Sequence, residues 1–122
     1  MAGDRMPNRK VPEAIVTPQH RLALRDLKDA MEKLLGKDLI QLKLFGSRAR
    51  GDADADSDLD VVLIAGNLTR KRRREILDQV ADIELEHLTP ISLLLISQED
   101  FRRLLSRERR IAVDIEREGV PI

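Results

Sequence analysis

Residues 45–64 read FGSRARGDADADSDLDVVLI, and they decide how the rest of the chain is interpreted. The end of this stretch, 59–64, is a β-branched, apolar run that is too short for a free-standing helix and predicts a buried strand. Asp58 and Asp60 lie at its beginning. Because side chains alternate along a strand, both carboxylates share one face, with α-carbons about 6.5 to 7 Å apart. They can therefore bind the same divalent cation or a pair of cations.

The beginning of the same stretch offers groups that suit a phosphate. Gly46 lets the backbone approach a ligand closely, Ser47 contributes a hydroxyl, and the amides of the turn that follows can point at an anion. Arg48 and Arg50 can add charge-assisted hydrogen bonds to phosphate oxygens. Mg²⁺ is usually held by one or two carboxylates together with substrate phosphates. The two halves of the stretch together predict a site for a metal-bound nucleoside triphosphate.

Composition restricts the other function classes. Aromatic residues make up 2% of the 122 residues. This is too few for a protein that binds single-stranded nucleic acid by stacking its bases on aromatic side chains. The 22 basic side chains are balanced by 22 acidic ones, so no net field attracts nucleic acid or anionic lipid. With no cysteine and two histidines, a metal must be bound through carboxylate oxygens. The apolar runs are strand-sized and the polar start lacks a signal-peptide segment, so we expect a cytoplasmic protein without a membrane span.

Hydrophobic periodicity predicts the elements around the central stretch. Residues 1–16 lack sustained periodicity and are expected to form a flexible lead-in, which leaves 17–122 as a single domain. Helices are predicted from 18 to 36, between Thr69 and Thr89, and from 98 to 119 with a break left open in the last; strands are predicted at 39–45, 59–64 and 91–96. This order indicates a small α/β or α+β sheet with helices on it.

The sequence GSRARG at 46–51, followed by SDLD at 57–60, resembles the G-S-x-x-x-G…S-D-x-D signature of the minimal nucleotidyltransferases in the DNA polymerase β superfamily. The resemblance extends from the first helix to the end of the chain. It implies an α+β fold, an α/β sandwich with a small mixed sheet flanked by helices. It also implies one or two Mg²⁺ ions bound by Asp58 and Asp60, the catalytic carboxylates, and ATP phosphates bound at Gly46 and Ser47.

The resemblance also suggests a partner. Many small members of this family are antitoxins that neutralise a HEPN-domain toxin, either by transferring AMP to a toxin tyrosine or by binding the toxin. A HEPN-domain toxin is therefore the expected partner, in a homo- or hetero-oligomeric assembly that the sequence leaves open. RNA as a partner is a third alternative, since RKRRR at 70–74 could bind RNA, an acidic partner or only solvent.

One position departs from the family pattern. Active members carry a third carboxylate on the following strand, and the matching polar position here is Ser92. A hydroxyl cannot replace that negative charge, so both proton acceptance and metal binding would be weaker. Glu84, Glu86 or Glu99 could compensate if the fold turned one of them inward. Two hypotheses therefore stay open. The protein is either an active transferase or a catalytically weakened antitoxin that acts by stoichiometric binding of the toxin.

Other features of the sequence favour ordinary roles. An EF-hand loop beginning at Asp52 would need glycine at its sixth position and glutamate at its twelfth, but Ser57 and Leu63 stand there, so a calcium loop is excluded. His87 is in phase with the apolar side of its helix, which favours a core or edge histidine over a catalytic one.

Overall fold

The computed structural model describes residues 17–45 and 58–122. The predictions for 1–16 and for Gly46, Ser47, Arg48 and Arg50 lie outside the described residues. The elements in chain order are α1 (Pro18–Leu35), β1 (Leu39–Phe45), β2 (Leu59–Ala65), α2 (Arg70–His87), β3 (Ile91–Ser97), α3 (Gln98–Ser106), α4 (Arg110–Glu118) and β4 (Val120–Pro121). The predicted helices and strands are confirmed to within a residue or two. None of the described helices is long and apolar enough to cross a membrane.

Side-chain caps explain why the helices begin where the sequence predicts. The side chains of Thr17, Thr69 and Ser97 each accept a hydrogen bond, at 3.1 Å, from the backbone N–H three residues further along. Such a cap satisfies one of the amides that the first helical turn leaves without a partner. At the other end of α1, Gly36 adopts a φ of 54°, a conformation that favours glycine. Local chemistry therefore sets these boundaries.

The C-terminal part of the chain contains two helices where one helix with an open break was predicted. The chain leaves the helical path after Ser106, and Glu108 takes a φ of 51°. The break lets Phe101 from α3 and Ile115 from α4 pack into the same cluster. A short strand, β4, was not predicted; its two residues pair with Lys43 and Leu44 of β1.

The strands form one mixed sheet in the order β3-β2-β1-β4. β2 pairs in parallel with β3 and antiparallel with β1, and β4 pairs antiparallel with β1. The parallel pair is connected by α2, as a parallel connection requires a crossover. In the part of the chain that the structure describes, four α-helices and a four-stranded mixed sheet make the fold α+β, as the sequence predicted.

The two faces of the sheet are covered by different helices. The α1–α2 face carries the larger cluster of buried residues: Ala23, Leu24, Leu27, Met31, Leu35, Leu42, Leu44, Leu59, Val61, Leu63, Ala65, Ile76, Val80, Ile83 and Ile91. The α3–α4 face carries a smaller one: Val62, Ile64, Phe101, Ala112 and Ile115. Strand alternation divides β2 between the two clusters. Ile40 of β1 is exposed although it is apolar, and it lies at a register irregularity between Leu39 and Gln41.

A polar junction at Asp38 holds the beginning of α2 to the sheet. The Asp38 carboxylate accepts a hydrogen bond from Arg72 at 2.7 Å and another from Asn67 at 3.1 Å. Its backbone carbonyl accepts a hydrogen bond from the Gly66 amide at 2.8 Å. The Arg72 guanidinium first, and then the Asn67 amide, hold the pKa of the Asp38 carboxyl below its ordinary value. Arg72, which belongs to the basic run at 70–74, therefore has a structural role.

Candidate functional site

The two predicted metal ligands lie at the beginning of β2. Val62 and Ile64 belong to the α3–α4 face, and alternation places Asp60 on that same face. Asp58 stands two residues earlier, just before the strand begins. Asp58 is exposed and Asp60 is half-buried. The strand thus places Asp60 on the α3–α4 face, and the sharing of that face by Asp58 stays a prediction.

A row of three residues crosses the sheet at Asp60. Phe45 of β1 is its partner on one side, and Ser92 of β3 is its partner on the other. Neighbouring strands lie about 4.8 Å apart, so the Ser92 hydroxyl belongs to the immediate surroundings of the Asp60 carboxylate. Ser92 is exposed. The position next to Asp60 on the following strand thus carries a hydroxyl and no charge.

The helices leave this end of the α3–α4 face uncovered. Further along the strands, Ile64 and Ile96 are covered by α3 and α4, whereas Ser92 and Leu94 on the same face of β3 are exposed. The helix α3 begins directly after the far end of β3, and with nine residues it is shorter than the strand beneath it. The open surface beside Asp60 follows from this difference in length.

The three glutamates considered as replacements for the missing carboxylate are engaged elsewhere or lie apart from Asp60. The Glu84 carboxylate accepts a hydrogen bond from the Ile91 amide at 2.8 Å, on the α1–α2 face. Glu99 lies in the first turn of α3, at the far end of β3, 3.6 Å from Arg103. Glu86 is exposed near the end of α2. None of the three stands in the row that contains Asp60.

A separate group of acidic and imidazole side chains joins α1 to α2. The His87 Nε2 atom lies 2.6 Å from an Asp26 carboxylate oxygen, and Glu86 contributes a third group whose ligand atom lies within 4.8 Å of the other two. Because α1 and α2 cover the face opposite Asp60, this cluster is distinct from the predicted site. His87 is largely buried at the edge of the core, as its phase predicted. Asp26 was not predicted, since helical spacing does not show which residues meet across two helices.

The donor set at the beginning of β2 fits a hard divalent cation. Asp58 and Asp60 offer carboxylate oxygens and Ser92 a hydroxyl, and Mg²⁺ prefers oxygen ligands. Within 17–45 and 58–122, no side chain forms an ion pair with either aspartate. The described residues therefore leave both carboxylates available to a cation.

Comparisons with known proteins address the family. Residues 24–119 match the family model of the nucleotidyltransferase domain. A solved structure from Sulfolobus solfataricus, described as a nucleotidyltransferase, is similar to this chain with a TM-score of 0.43 and 20% sequence identity, over 70% of this chain and 78% of that chain. A search of the curated proteins finds no match. The family model covers most of the chain, including both aspartates. The chain therefore belongs to the nucleotidyltransferase domain family.

Proposed function

We propose that this chain is a Mg²⁺-dependent nucleotidyltransferase that transfers AMP from ATP to a hydroxyl of a partner protein. The observation that carries the proposal is the position of Asp60, at the end of the α3–α4 face that the helices leave uncovered, with the exposed Asp58 just before the same strand. A buried pair could not receive a triphosphate. Membership of the nucleotidyltransferase domain family supports the reaction class.

The bonds that change in this reaction are those of the α-phosphorus of ATP. The acceptor hydroxyl oxygen attacks this atom, the bond to the bridging oxygen of the β-phosphate breaks, and pyrophosphate leaves with the electron pair. The hydroxyl proton passes to a carboxylate or to water. Asp58 and Asp60 would hold Mg²⁺, whose charge would neutralise that of the phosphate oxygens.

The phosphate-binding part of the proposal rests on the sequence. Gly46 and Ser47 would contact the phosphates, and Arg48 and Arg50 would add charge-assisted hydrogen bonds. The support from the structure is indirect: Phe45, which precedes Gly46 in the chain, is the register partner of Asp60. The chain thus enters this segment from the same row of the sheet that carries the proposed metal ligand.

The expected acceptor is a HEPN-domain toxin, which follows from the resemblance to antitoxins of this family. Ser92 favours a second candidate function. Because a neutral hydroxyl stands beside Asp60 where active relatives carry a carboxylate, the chain would bind the metal less tightly and lack a base for the acceptor proton. In this second function the protein inhibits the toxin by stoichiometric binding.

Labelled ATP distinguishes the two functions. The purified chain is incubated with Mg²⁺, a HEPN-domain protein encoded beside it, and ATP that carries radioactive phosphorus at either the α or the γ position. AMP transfer would label the partner from α-labelled ATP only. We expect Asp58→Asn with Asp60→Asn to lower the transfer rate by a factor on the order of a hundred or more, because the phosphate charge is no longer neutralised.

Two further variants sharpen the experiment. Asp82→Asn changes an exposed aspartate on α2 and should leave the rate unchanged. Ser92→Asp restores a carboxylate beside Asp60 at an exposed position and should raise the rate. Transfer that survives loss of both aspartates would contradict the site. A stable complex without label from either wild type or Ser92→Asp would instead support the binding function.

A further inference from the structure

The two edges of the sheet differ in how they are protected. At one edge, β4 is two residues long, ends at Pro121 and pairs beside Lys43. Short strands, proline and lysine are the usual means by which proteins prevent edge-to-edge pairing. At the other edge, β3 reads ISLLLIS, with neither charge nor proline, and its register with β2 is unbroken over seven residues. Among the described residues no strand pairs with the outer side of β3.

An exposed apolar stripe on α2 lies above this unprotected edge. Gln79, Ile83 and Glu86 line the groove between α2 and α1, so they mark the inner side of the helix. On the opposite side, helical spacing brings together Leu77, Ala81 and Leu85, and Leu88 follows directly after the end of the helix. Leu85 is 73% exposed and Leu88 is 82% exposed. Glu84, next to this stripe, bonds the amide of Ile91, which places the stripe over the beginning of β3.

The charge of α2 is asymmetric along its axis. Its first five residues are the basic run RKRRR, whereas 78–88 contain four acidic residues, Asp78, Asp82, Glu84 and Glu86, and no lysine or arginine. Two such helices side by side attract each other when they run antiparallel and repel each other when they run parallel. A second copy of α2 in antiparallel orientation is therefore complementary in charge to the first.

From these three features we infer that the β3 edge is a homodimer interface. Two β3 strands pair antiparallel about a twofold axis at Leu94, so that each Ser92 lies opposite Ile96 of the partner subunit. The two sheets then form one eight-stranded sheet. The same axis makes the two α2 helices antiparallel, which buries their apolar stripes and brings basic ends to acidic ends. A second copy fits better than another protein, because the strand, the stripe and the charges are all self-complementary under one axis.

Sedimentation equilibrium tests the assembly. We expect the wild-type chain to approach twice 13.9 kDa as its concentration rises. Leu94→Lys in the strand and Leu85→Glu on the helix should each raise the dimer dissociation constant at least tenfold. The first places two like charges opposite each other across the twofold axis, and the second buries a charge between the helices. Leu22→Lys is the matched control, because this leucine is 51% exposed on α1, and it should leave the constant unchanged. Circular dichroism of each variant verifies folding.

A cysteine crosslink tests the register. The chain has no cysteine, so Leu94→Cys introduces the only thiol. Opposed residues of antiparallel strands have α-carbons about 4.5 to 5.5 Å apart, within the range of a disulfide. Mild oxidation should crosslink Leu94→Cys rapidly and Leu22→Cys slowly. The inference would be overturned if the wild-type chain stayed monomeric up to about 100 μM, because a dimer with a micromolar dissociation constant would be formed at that concentration. This outcome includes the case in which a different protein pairs with the β3 edge. Equal crosslinking of the two variants would overturn the proposed axis. The inference does not depend on nucleotide transfer.

Discussion

The α1–α2 face and the α3–α4 face of the same sheet are built for different tasks. Among the described residues, fifteen buried side chains form the cluster on the first face, whereas five form the cluster on the second. The first face is covered along its length by two helices of 18 residues, and the second only in part by two helices of nine. The α1 and α2 helices therefore provide most of the apolar burial, and the shorter α3 and α4 helices leave the surface beside Asp60 uncovered. In this fold, stability and access to the candidate site are properties of opposite faces.

The largest expected effect compares two leucines on neighbouring strands. Leu63 is fully buried on the α1–α2 face, and Leu94 is 40% exposed on the other. Leu63→Ala should lower the free energy of unfolding by about 2 to 5 kcal/mol, because it removes buried methyl groups and leaves a cavity. Leu94→Ala should cost less than about 1.5 kcal/mol. Urea unfolding of dilute protein measures both values, and equal losses would show that the two faces are equally packed.

A smaller effect is expected where α4 closes onto β1. A Cβ atom at Gly119 would lie 2.7 Å from the Ile115 carbonyl oxygen and 2.8 Å from the Lys43 Cδ atom. Gly119→Ala should therefore cost about 1 to 3 kcal/mol through overpacking. Gly66→Ala serves as the control, since its nearest contact would be 3.3 Å, to a side-chain oxygen of Asp38. If the thermal unfolding midpoint of Gly119→Ala were at or above that of the control, the contact between α4 and β1 would accommodate the added methyl group without loss of stability.

The smallest effect concerns pH and the junction that holds α2. Because the Asp38 pKa is lowered in the folded state, the folded protein binds fewer protons than the unfolded chain near that pKa. This contribution to stability is present above the unfolded pKa, near pH 4, and is lost as pH falls through the lower folded pKa. The stability difference between wild type and Asp38→Asn should accordingly shrink below about pH 4. Melting temperatures from pH 7 to pH 3 measure it.

The Asp38 prediction has its own control. Asp29→Asn replaces an exposed aspartate on α1. Its difference in melting temperature from wild type should not show the same dependence on pH. A constant difference between wild type and Asp38→Asn across the whole range would show that the ion pair with Arg72 does not couple to folding.

Most elements were predictable because their causes are local. Thr17, Thr69 and Ser97 cap helices with their own side chains, and the apolar periods that follow them are read directly from the sequence. The break between α3 and α4 was left open, because nothing near Glu108 demands it; the helices separate so that both can reach one cluster on the sheet. The strand β4 exists only through its pairing with β1, in which Val120 is the partner of Leu44, far away in the sequence.

The candidate site was likewise predictable in part. By itself, the sequence predicted that Asp58 and Asp60 share a face, because side chains alternate along any strand, and the structure places Asp60 within such a strand. It also supplied the resemblance to nucleotidyltransferases, which the family model bears out at the level of the nucleotidyltransferase domain. The register confirmed the prediction that Ser92 is the position next to Asp60 on the following strand. Only the tertiary structure decided that Glu84 is occupied by the Ile91 amide and that the helices leave the surface beside Asp60 uncovered. Those facts depend on strand order, register and helix length, which arise from contacts between residues far apart in the chain.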